Sequence, residues 1–324
     1  MALLTFEMPL VDLSGVKQSV EARYARMDAG QHEAKVLAIV NGKGGVGKSS
    51  TAAAFAHALS KLDYDVLLAE LDEQGNNCED LGISNSAMND RGAAQAAAIL
   101  EGKPLTPTGE ARPGLHVVPG GELLEEVVEE LYVQRRAAKA MQDPDDKTAW
   151  MSTYAAAIDG VRDDYDLIIL DVAPGSEVLQ LAALVAADYV LIPSKSDPSS
   201  RKGLRAVAKR FAMARDINDA LQLLGVVLFA TNSSATKVQE KIKANLEEDL
   251  AGTAPLFEQT IRHVEAAAVE ARLRGRVPQE LRNARDLAPP LLKSMKALAT
   301  DYQSLTTEIL QEMAKLRKKA GEVE

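Results

Sequence analysis

The residues best suited to chemistry form a stretch rich in glycine and lysine. The stretch from residue 42 to residue 49 fits the pattern G-x-x-x-x-G-K-[ST] of a phosphate-binding loop. Its glycines allow backbone N–H groups to approach an anion without a Cβ in the way. Lys48 is expected to reach the β- and γ-phosphates of a nucleotide, and the Ser49 hydroxyl to ligate Mg²⁺. The candidate nucleotide-binding residues of this loop are Gly42, Lys43, Gly44, Gly45, Val46, Gly47, Lys48, Ser49 and Ser50.

The segments on either side of the loop have the patterns of a strand and a helix. Residues 36–40 form an apolar run, and residues 51–62 form an alanine-rich helical run. Strand, glycine loop and helix together would present an anion to a helix N-terminus, where unpaired N–H groups and the helix dipole favour it. The alternative, a glycine-rich turn that matches the pattern by chance, does not account for both flanking segments.

Two further apolar runs end in carboxylates. Residues 65–72 end in Glu70 and Asp72, and residues 165–171 end in Asp171. Acids at the carboxyl ends of parallel strands lie at the sheet edge where α/β folds bind ligands. Asp171 is therefore predicted to support the Mg²⁺ hydration shell. The alternative is that these acids are solvated strand ends without a role.

The extra lysine at position 43 gives the loop a more specific form. The variant K-G-G-x-G-K-[ST] resembles the deviant Walker A loop of the ParA/MinD family of ATPases. The family's D-x-D-P-Q-G-N segment corresponds to residues 70–76, with Glu70 in place of the first aspartate and Glu73 in place of the proline. The family's D-x-P-P segment corresponds to residues 171–174, with one proline lost. The resemblance covers about residues 35–310.

This resemblance implies a fold, an activity and a set of partners. The fold would be α/β, with a doubly wound, mainly parallel sheet and helices on both faces. The activity would be weak ATP hydrolysis with Mg²⁺, with Lys43, Asp72 and Lys48 as catalytic residues. In the family, the lysine at position 43 reaches the nucleotide of the other subunit, and the aspartate at position 72 orients the attacking water. Asn232 would contact adenine, or be an ordinary turn residue.

The family also implies a biological role. ATP would close a homodimer that binds double-stranded DNA without sequence preference, for plasmid or chromosome partition or for positioning another cargo. A ParB-like centromere-binding protein, or another adaptor, would stimulate hydrolysis. A nucleotide-dead relative remains open because of Glu70. A MinD-like membrane switch is the other alternative.

Two basic clusters stand out in an otherwise acidic chain of formal charge −10. Acidic residues are nearly absent from residues 199–215, which favours contact with phosphates over a solvated helix face. No base-reading motif accompanies the clusters, so any DNA binding is expected to be independent of sequence. The first cluster contributes Arg201, Lys202 and Arg205 as candidate DNA-binding residues. The second cluster contributes Arg262, Arg272, Arg274 and Arg276, because its segment resembles the T-I-P-R … E-A … G-K-P segment of the family, in which basic residues hold DNA phosphates.

Cysteine content and hydropathy limit the cell compartments in which we expect the protein. The single cysteine, Cys78, excludes a disulfide within the chain and an iron–sulfur cluster ligated by one chain. No apolar run approaches the roughly 18–20 residues of a membrane span, and the N-terminus lacks the pattern of a secretory signal. We therefore expect a cytoplasmic protein, and the family resemblance, which implies DNA binding, adds association with the nucleoid.

The two ends of the chain carry helical patterns. Residues 1–34 are predicted to form a helical arm that packs on the core or on a dimer partner, ahead of an ATPase domain over residues 35–324. The C-terminal segment has an apolar stripe at helical spacing, which favours packing on the domain over binding to lipid. The stripe consists of Leu291, Met295, Leu298, Tyr302, Leu305, Ile309, Met313 and Leu316.

Overall fold

The computed structural model describes residues 33–195, 198–231, 244 and 255–319, with residues 198–202 described for their backbone only. The predicted arm over residues 1–34 therefore lies almost entirely outside the described residues. Within the described ranges the chain forms one eight-stranded sheet flanked by helices.

The sheet is parallel except at one edge. Its strands are β1 (Val36–Ile39), β2 (Val66–Leu71), β3 (Gly109–Arg112), β4 (Leu115–Val118), β5 (Leu167–Val172), β6 (Tyr189–Ser194), β7 (Gln222–Thr231) and β8 (Ile261–Arg262). Their spatial order is β3-β4-β2-β5-β1-β6-β7-β8, and β3 alone runs antiparallel to its neighbour. Because β1 lies between β5 and β6, the loop that follows β1 emerges at the centre of the sheet edge, next to the end of β5.

The helices lie on both faces of this sheet. They are α1 (Lys48–Ser60), α2 (Asn76–Asp80), α3 (Ala93–Glu101), α4 (Leu124–Ala138), α5 (Pro144–Thr148), α6 (Thr153–Asp159), α7 (Glu177–Ala186), α8 (Pro198–Arg215), α9 (Glu265–Leu273), α10 (Pro278–Leu281) and α11 (Pro289–Lys319). Short 3₁₀ turns at Ala149–Ser152 and Arg162–Asp164 flank α6.

Alternate residues of each central strand enter opposite cores. On β1, Val36 and Ala38 pack with α3, α4, α6, α7 and α8, whereas Leu37 and Ile39 pack with α1, α9, α10 and α11. Both faces of a parallel strand are thus covered, which explains why these strands read as continuous apolar runs. The predicted doubly wound α/β fold is confirmed.

The C-terminal helix is part of the second core. Met295, Leu298, Tyr302, Leu305 and Ile309 on α11 are all buried there. The stripe that the sequence shows is therefore used for packing on the domain, as predicted. None of the helices in the described ranges is long and apolar enough to cross a membrane.

The segment from residue 77 to residue 114 contains a strand that the sequence does not indicate. Its short helical stretches, mixed with Gly, Pro and Thr, suggest a surface segment; α3 is such a helix and buries Gln95, Ala98 and Ile99, whereas β3 pairs with β4. The strand escapes recognition because its sequence, Gly-Glu-Ala-Arg, has no apolar run; pairing with β4 at the sheet edge is what makes it extended.

Candidate functional site

The phosphate loop leads directly into α1 through a glycine with a left-handed backbone. Gly47 has φ +86° at the N-cap of α1, and no side chain caps the helix. The first N–H groups of α1 are therefore left for an anion. A Cβ at Gly47 would lie 2.1 Å from the Phe229 ring, so glycine is required there for space as well as for φ.

A cavity of about 560 Å³ opens beside this loop. Its walls come from the phosphate loop, the ends of β2 and β7, and the segment from β8 to α10. Among the residues that line it are Gly44, Gly45, Gly47, Lys48, Ser49, Ser50, Asp72, Lys195, Phe229, Arg262, Arg272 and Arg276. The cavity thus brings together residues that are far apart in sequence, at the sheet edge where ligands bind in open α/β folds.

Lys48 is held inside the protein near two carboxylates. It is 6% exposed, and burial lowers the pKa of its ammonium group, while the charges of Asp171 and Asp72 oppose that shift. A buried cation that lines the cavity is placed to bind the phosphates of an entering nucleotide.

Asp171 and Ser49 meet at the base of the site. Burial raises the pKa of Asp171 to about 6, and the neighbouring Ser49 hydroxyl acts in the opposite direction. The Oδ1 atom of Asp171 is buried without a hydrogen-bond partner among the described residues. A hydroxyl beside an unsatisfied carboxylate oxygen suits Mg²⁺, which takes few protein ligands and keeps several waters. The residues present therefore fit the metal.

Glu70 in β2 and Asp72 directly after it have different surroundings. Asp72 lines the cavity, and its Oδ1 accepts a hydrogen bond of 3.0 Å from the backbone N–H of Gln74. Glu70 is 1% exposed and does not line the cavity. Burial, followed by the charge of Asp171, raises the pKa of Glu70 well above its ordinary value. Asp72 is therefore the acid within reach of a bound nucleotide.

Three residues around these acids are not among the candidates that the sequence indicates. Asn77 donates from its amide to Asp171 (3.0 Å), and the backbone of Gly120 lies so close to Asp72 that a Cβ there would be 2.2 Å from the Asp72 carbonyl oxygen. Lys195 extends from the end of β6 into the cavity, with Nζ 4.0 Å from the position of a Cβ on Gly45. Only the glycine pair after β4 gave a signal, since consecutive glycines often mark a close backbone approach.

Lys43 lies beside helix α8 and does not line the cavity. Its backbone N–H donates to Asn41 Oδ1 (2.9 Å). Helix α8 packs against this part of the loop: a Cβ on Gly42 would lie 3.4 Å from the carbonyl oxygen of Gly203. Lys43 and the first basic cluster, on α8, are thus neighbours.

The candidate DNA-binding arginines of the second cluster are engaged within the protein. Arg262 binds Asp301 with two side-chain hydrogen bonds of 2.6 Å. Arg272 binds Asp80 in the same bidentate manner, at 2.8 and 3.2 Å. Arg274 contacts Glu270 and Asp286. Phosphates would have to compete with these carboxylates.

Other members of the two clusters are differently placed. Arg205 on α8 and Arg276 before α10 are exposed and form no ion pair with any residue in the described ranges. The backbones of Arg201 and Lys202 belong to α8, but their side chains lie outside the description, as does the whole of Asn232. The adenine-contact prediction for Asn232 therefore stays a prediction.

Fold and site together define a P-loop nucleotide-binding protein of the α/β class. The family model described as AAA domain (AAA_31) matches residues 34–223. The chromosome-partitioning ATPase Soj of Thermus thermophilus is 27% identical over 260 residues, which is 76% of this chain and 94% of the relative. The chromosome partitioning protein ParA of Caulobacter vibrioides is 29% identical over 226 residues, 65% of this chain and 76% of its own length.

Solved structures agree on the fold. Apo McdA of Cyanothece has a TM-score of 0.62 at 22% identity, covering 83% of this chain and 99% of its own. Cobyrinic acid a,c-diamide synthase of Mycobacterium smegmatis, with a bound ATP analog and magnesium, has a TM-score of 0.59 at 22% identity, covering 75% and 92%. This chain belongs to the AAA_31 family and is a P-loop ATPase of the ParA/MinD type.

Proposed function

We propose that this chain is a ParA-like ATPase that partitions DNA or positions another cargo. ATP and Mg²⁺ close a homodimer, the dimer binds duplex DNA of any sequence, and a ParB-like partner or other adaptor stimulates hydrolysis. The observation that carries the proposal is the convergence of Lys48, Ser49 and Asp72 on one cavity, with Asp171 buried beside Ser49, while Lys43 does not line the cavity and lies beside a basic helix.

Within one subunit, the loop residues hold the nucleotide. The backbone N–H groups at the start of α1 and the Lys48 ammonium bind the phosphates, and Ser49 and Asp171 hold the metal. Mg²⁺, when bound, compensates the charge of the terminal phosphates. Asp72, fixed by the Gln74 N–H, orients the attacking water.

Lys43 serves the other subunit of the dimer. This role is proposed because Lys43, unlike Lys48, does not line the cavity of its own subunit. Its contribution is to stabilise charge that develops during phosphoryl transfer, in the manner of a cation supplied in trans.

For DNA, the structure favours α8 over the second cluster. Arg205 and Lys209 on α8 are exposed, whereas Arg262, Arg272 and Arg274 have carboxylate partners. Because the whole chain carries a charge of −10, one such patch binds weakly. Pairing two patches in a dimer roughly doubles the phosphates contacted, which makes binding dependent on ATP.

The test is DNA binding measured by fluorescence anisotropy with duplexes of two unrelated sequences, at about 50 mM and 200 mM salt. We expect equal affinity for both duplexes with ATP and Mg²⁺, weak binding with ADP, and a steep loss with salt. The double variant Arg205→Ala, Lys209→Ala should weaken binding to both duplexes. The variant Arg136→Ala, Lys139→Ala, which removes the same charge from exposed positions near the end of α4, is the control.

Absence of DNA binding with ATP at the lower salt concentration would refute the partition proposal. Co-sedimentation with anionic liposomes in the presence of ATP would then support the MinD-like alternative. The structure gives that alternative no support, because the apolar stripe of α11 is buried in the core rather than available to lipid.

A further inference from the structure

Two buried carboxylates stand side by side at the base of the nucleotide site. Glu70 on β2 and Asp171 on β5 are partners in the parallel register, and both are 1% exposed. Two adjacent buried acids repel each other and lack water, so each needs hydrogen-bond donors from the protein. One residue of α2, Asn77, supplies a donor to each.

The contacts of Asn77 form a bridge between the two strands. Its backbone N–H points at both oxygens of Glu70, at 3.1 and 3.2 Å, and its side-chain amide donates to Asp171 Oδ2 at 3.0 Å. Glu70 in turn accepts a weaker bond of 3.4 Å from the Gly120 N–H. Asn77 is 4% exposed, so water does not offer a substitute for these bonds.

The bridge decides how the Asp171 carboxylate is presented. The Asn77 amide occupies Oδ2, and Oδ1 is left buried with no hydrogen-bond partner in the described part of the chain. A carboxylate held by one oxygen cannot rotate without breaking that bond. Donors that orient a metal-supporting ligand in this way affect metal affinity strongly although they never touch the metal.

We propose that Asn77 is a positioning residue for Mg²⁺–nucleotide binding, and that Glu70 anchors Asn77 instead of orienting water. Glu70 does not line the cavity, and its carboxylate accepts from the Asn77 N–H and so fixes the backbone of α2 there. Asn77 then fixes Asp171. The substitution of Glu for the family's Asp at position 70 thereby has a structural account: the longer side chain reaches the Asn77 N–H.

The inference rests on the metal–nucleotide site of the proposed function and not on DNA binding. The test is calorimetric titration of ADP at a series of free Mg²⁺ concentrations and in EDTA, for the wild-type protein and Asn77→Ala. We expect the Mg²⁺ concentration at half-maximal enhancement of ADP affinity to rise about 10-fold or more, and ADP affinity in EDTA to change by less than about 2-fold.

Gln95→Ala is the matched control, because it removes another buried amide close to Glu70. The Gln95 side chain is fully buried and donates to the Glu70 and Val118 carbonyl oxygens, but it makes no bond to the Asp171 carboxylate. We expect this control to lower the melting temperature and leave the Mg²⁺ midpoint unchanged. If Asn77→Ala does not fold, Asn77→Ser, which also keeps the backbone N–H and replaces the amide by a shorter polar side chain, should show the same Mg²⁺ shift.

Two results would overturn the inference: an unchanged Mg²⁺ midpoint in a folded Asn77 variant, or an equal shift in Gln95→Ala. Failure of the wild-type protein to bind ADP with Mg²⁺ is a distinct result, and it would overturn the proposed function as well.

Discussion

Substitution of Gly203 by alanine tests whether α8 is fixed to the phosphate loop. A Cβ at Gly203 would lie 2.5 Å from Asn41 Oδ1 and 3.5 Å from the Lys43 Cβ. Asn41 has little freedom to yield, because it is fully buried, its amide donates to the Pro193 carbonyl (2.7 Å) and its Oδ1 accepts from the Lys43 N–H (2.9 Å).

Whether Gly203→Ala lowers or raises the free energy of unfolding shows whether α8 presses on the loop. In an exposed helix, replacing glycine by alanine stabilises by about 1 kcal/mol. Here the added methyl overpacks the contact, which costs about 1–3 kcal/mol, and loss of one Asn41 hydrogen bond would add about 1 kcal/mol. We therefore expect Gly203→Ala to lower the free energy of unfolding by about 1–3 kcal/mol. Displacement of Asn41 should also disturb the loop at Lys43.

The assay is urea unfolding of Gly203→Ala beside Gly175→Ala, followed by ADP titration. Gly175 is the control because it lies in the loop after β5 and a Cβ there would meet nothing within 4 Å. We expect the control to behave as wild type in both measurements. A Gly203→Ala protein that is more stable than wild type, with unchanged ADP affinity, would show that α8 does not press on the loop.

Three further outcomes are expected. Lys48→Ala should abolish ATP binding in calorimetry, whereas Lys43→Ala should keep it and lose the hydrolysis linked to dimerisation; equal loss of affinity in both would contradict their division of roles. Asp72→Ala should bind ATP yet turn over very slowly, and unchanged turnover would exclude Asp72 as the water-orienting residue. Burial lowers the pKa of His57 below its ordinary 6.5, so the unfolded chain binds the proton more readily and stability falls as pH drops below about 6.5. His57→Gln should flatten that dependence, measured by denaturant unfolding between pH 5 and 8; a slope equal to that of wild type would contradict it.

Most of the candidate nucleotide site could be predicted from the sequence, because its patterns lie within short stretches of the chain. The loop over residues 42–49 combines glycines, Lys48 and Ser49 within one strand–loop–helix unit, and the structure has that unit. Asp72 and Asp171 follow apolar runs that become β2 and β5, adjacent strands whose carboxyl ends lie together. The order of these motifs along the chain therefore predicted that the loop, Asp72 and Asp171 lie at one edge of a parallel sheet.

The distinction between Glu70 and Asp72 was not accessible in the same way. Both acids lie at the end of one strand; the family resemblance gives the water-orienting role to Asp72, but the strand pattern alone does not separate the two. Glu70 faces the Asn77 and Gly120 N–H groups, whereas Asp72 faces the cavity. The direction of each side chain depends on α2 and on the loop after β4, and neither position follows from the strand pattern.

The basic clusters show the same limit more strongly. By sequence, Arg262 and Arg272 are equivalent to Arg205 as candidates for binding phosphate. The structure pairs Arg262 with Asp301, 39 residues away, and Arg272 with Asp80, 192 residues away. Such ion pairs across the fold satisfy the charge of an arginine without leaving any periodicity in the sequence.

The sequence by itself determined the α/β class, the strand–loop–helix unit around the glycine loop and the acids at the ends of the neighbouring strands. These depend on apolar runs, glycine spacing and strand ends, each of which is a property of a few consecutive residues. Tertiary structure decided which acids face the nucleotide cavity, which arginines are already paired, and that Asn77 links Glu70 to Asp171. These contacts join elements that are far apart in the chain, and they form only when both cores have packed around the sheet.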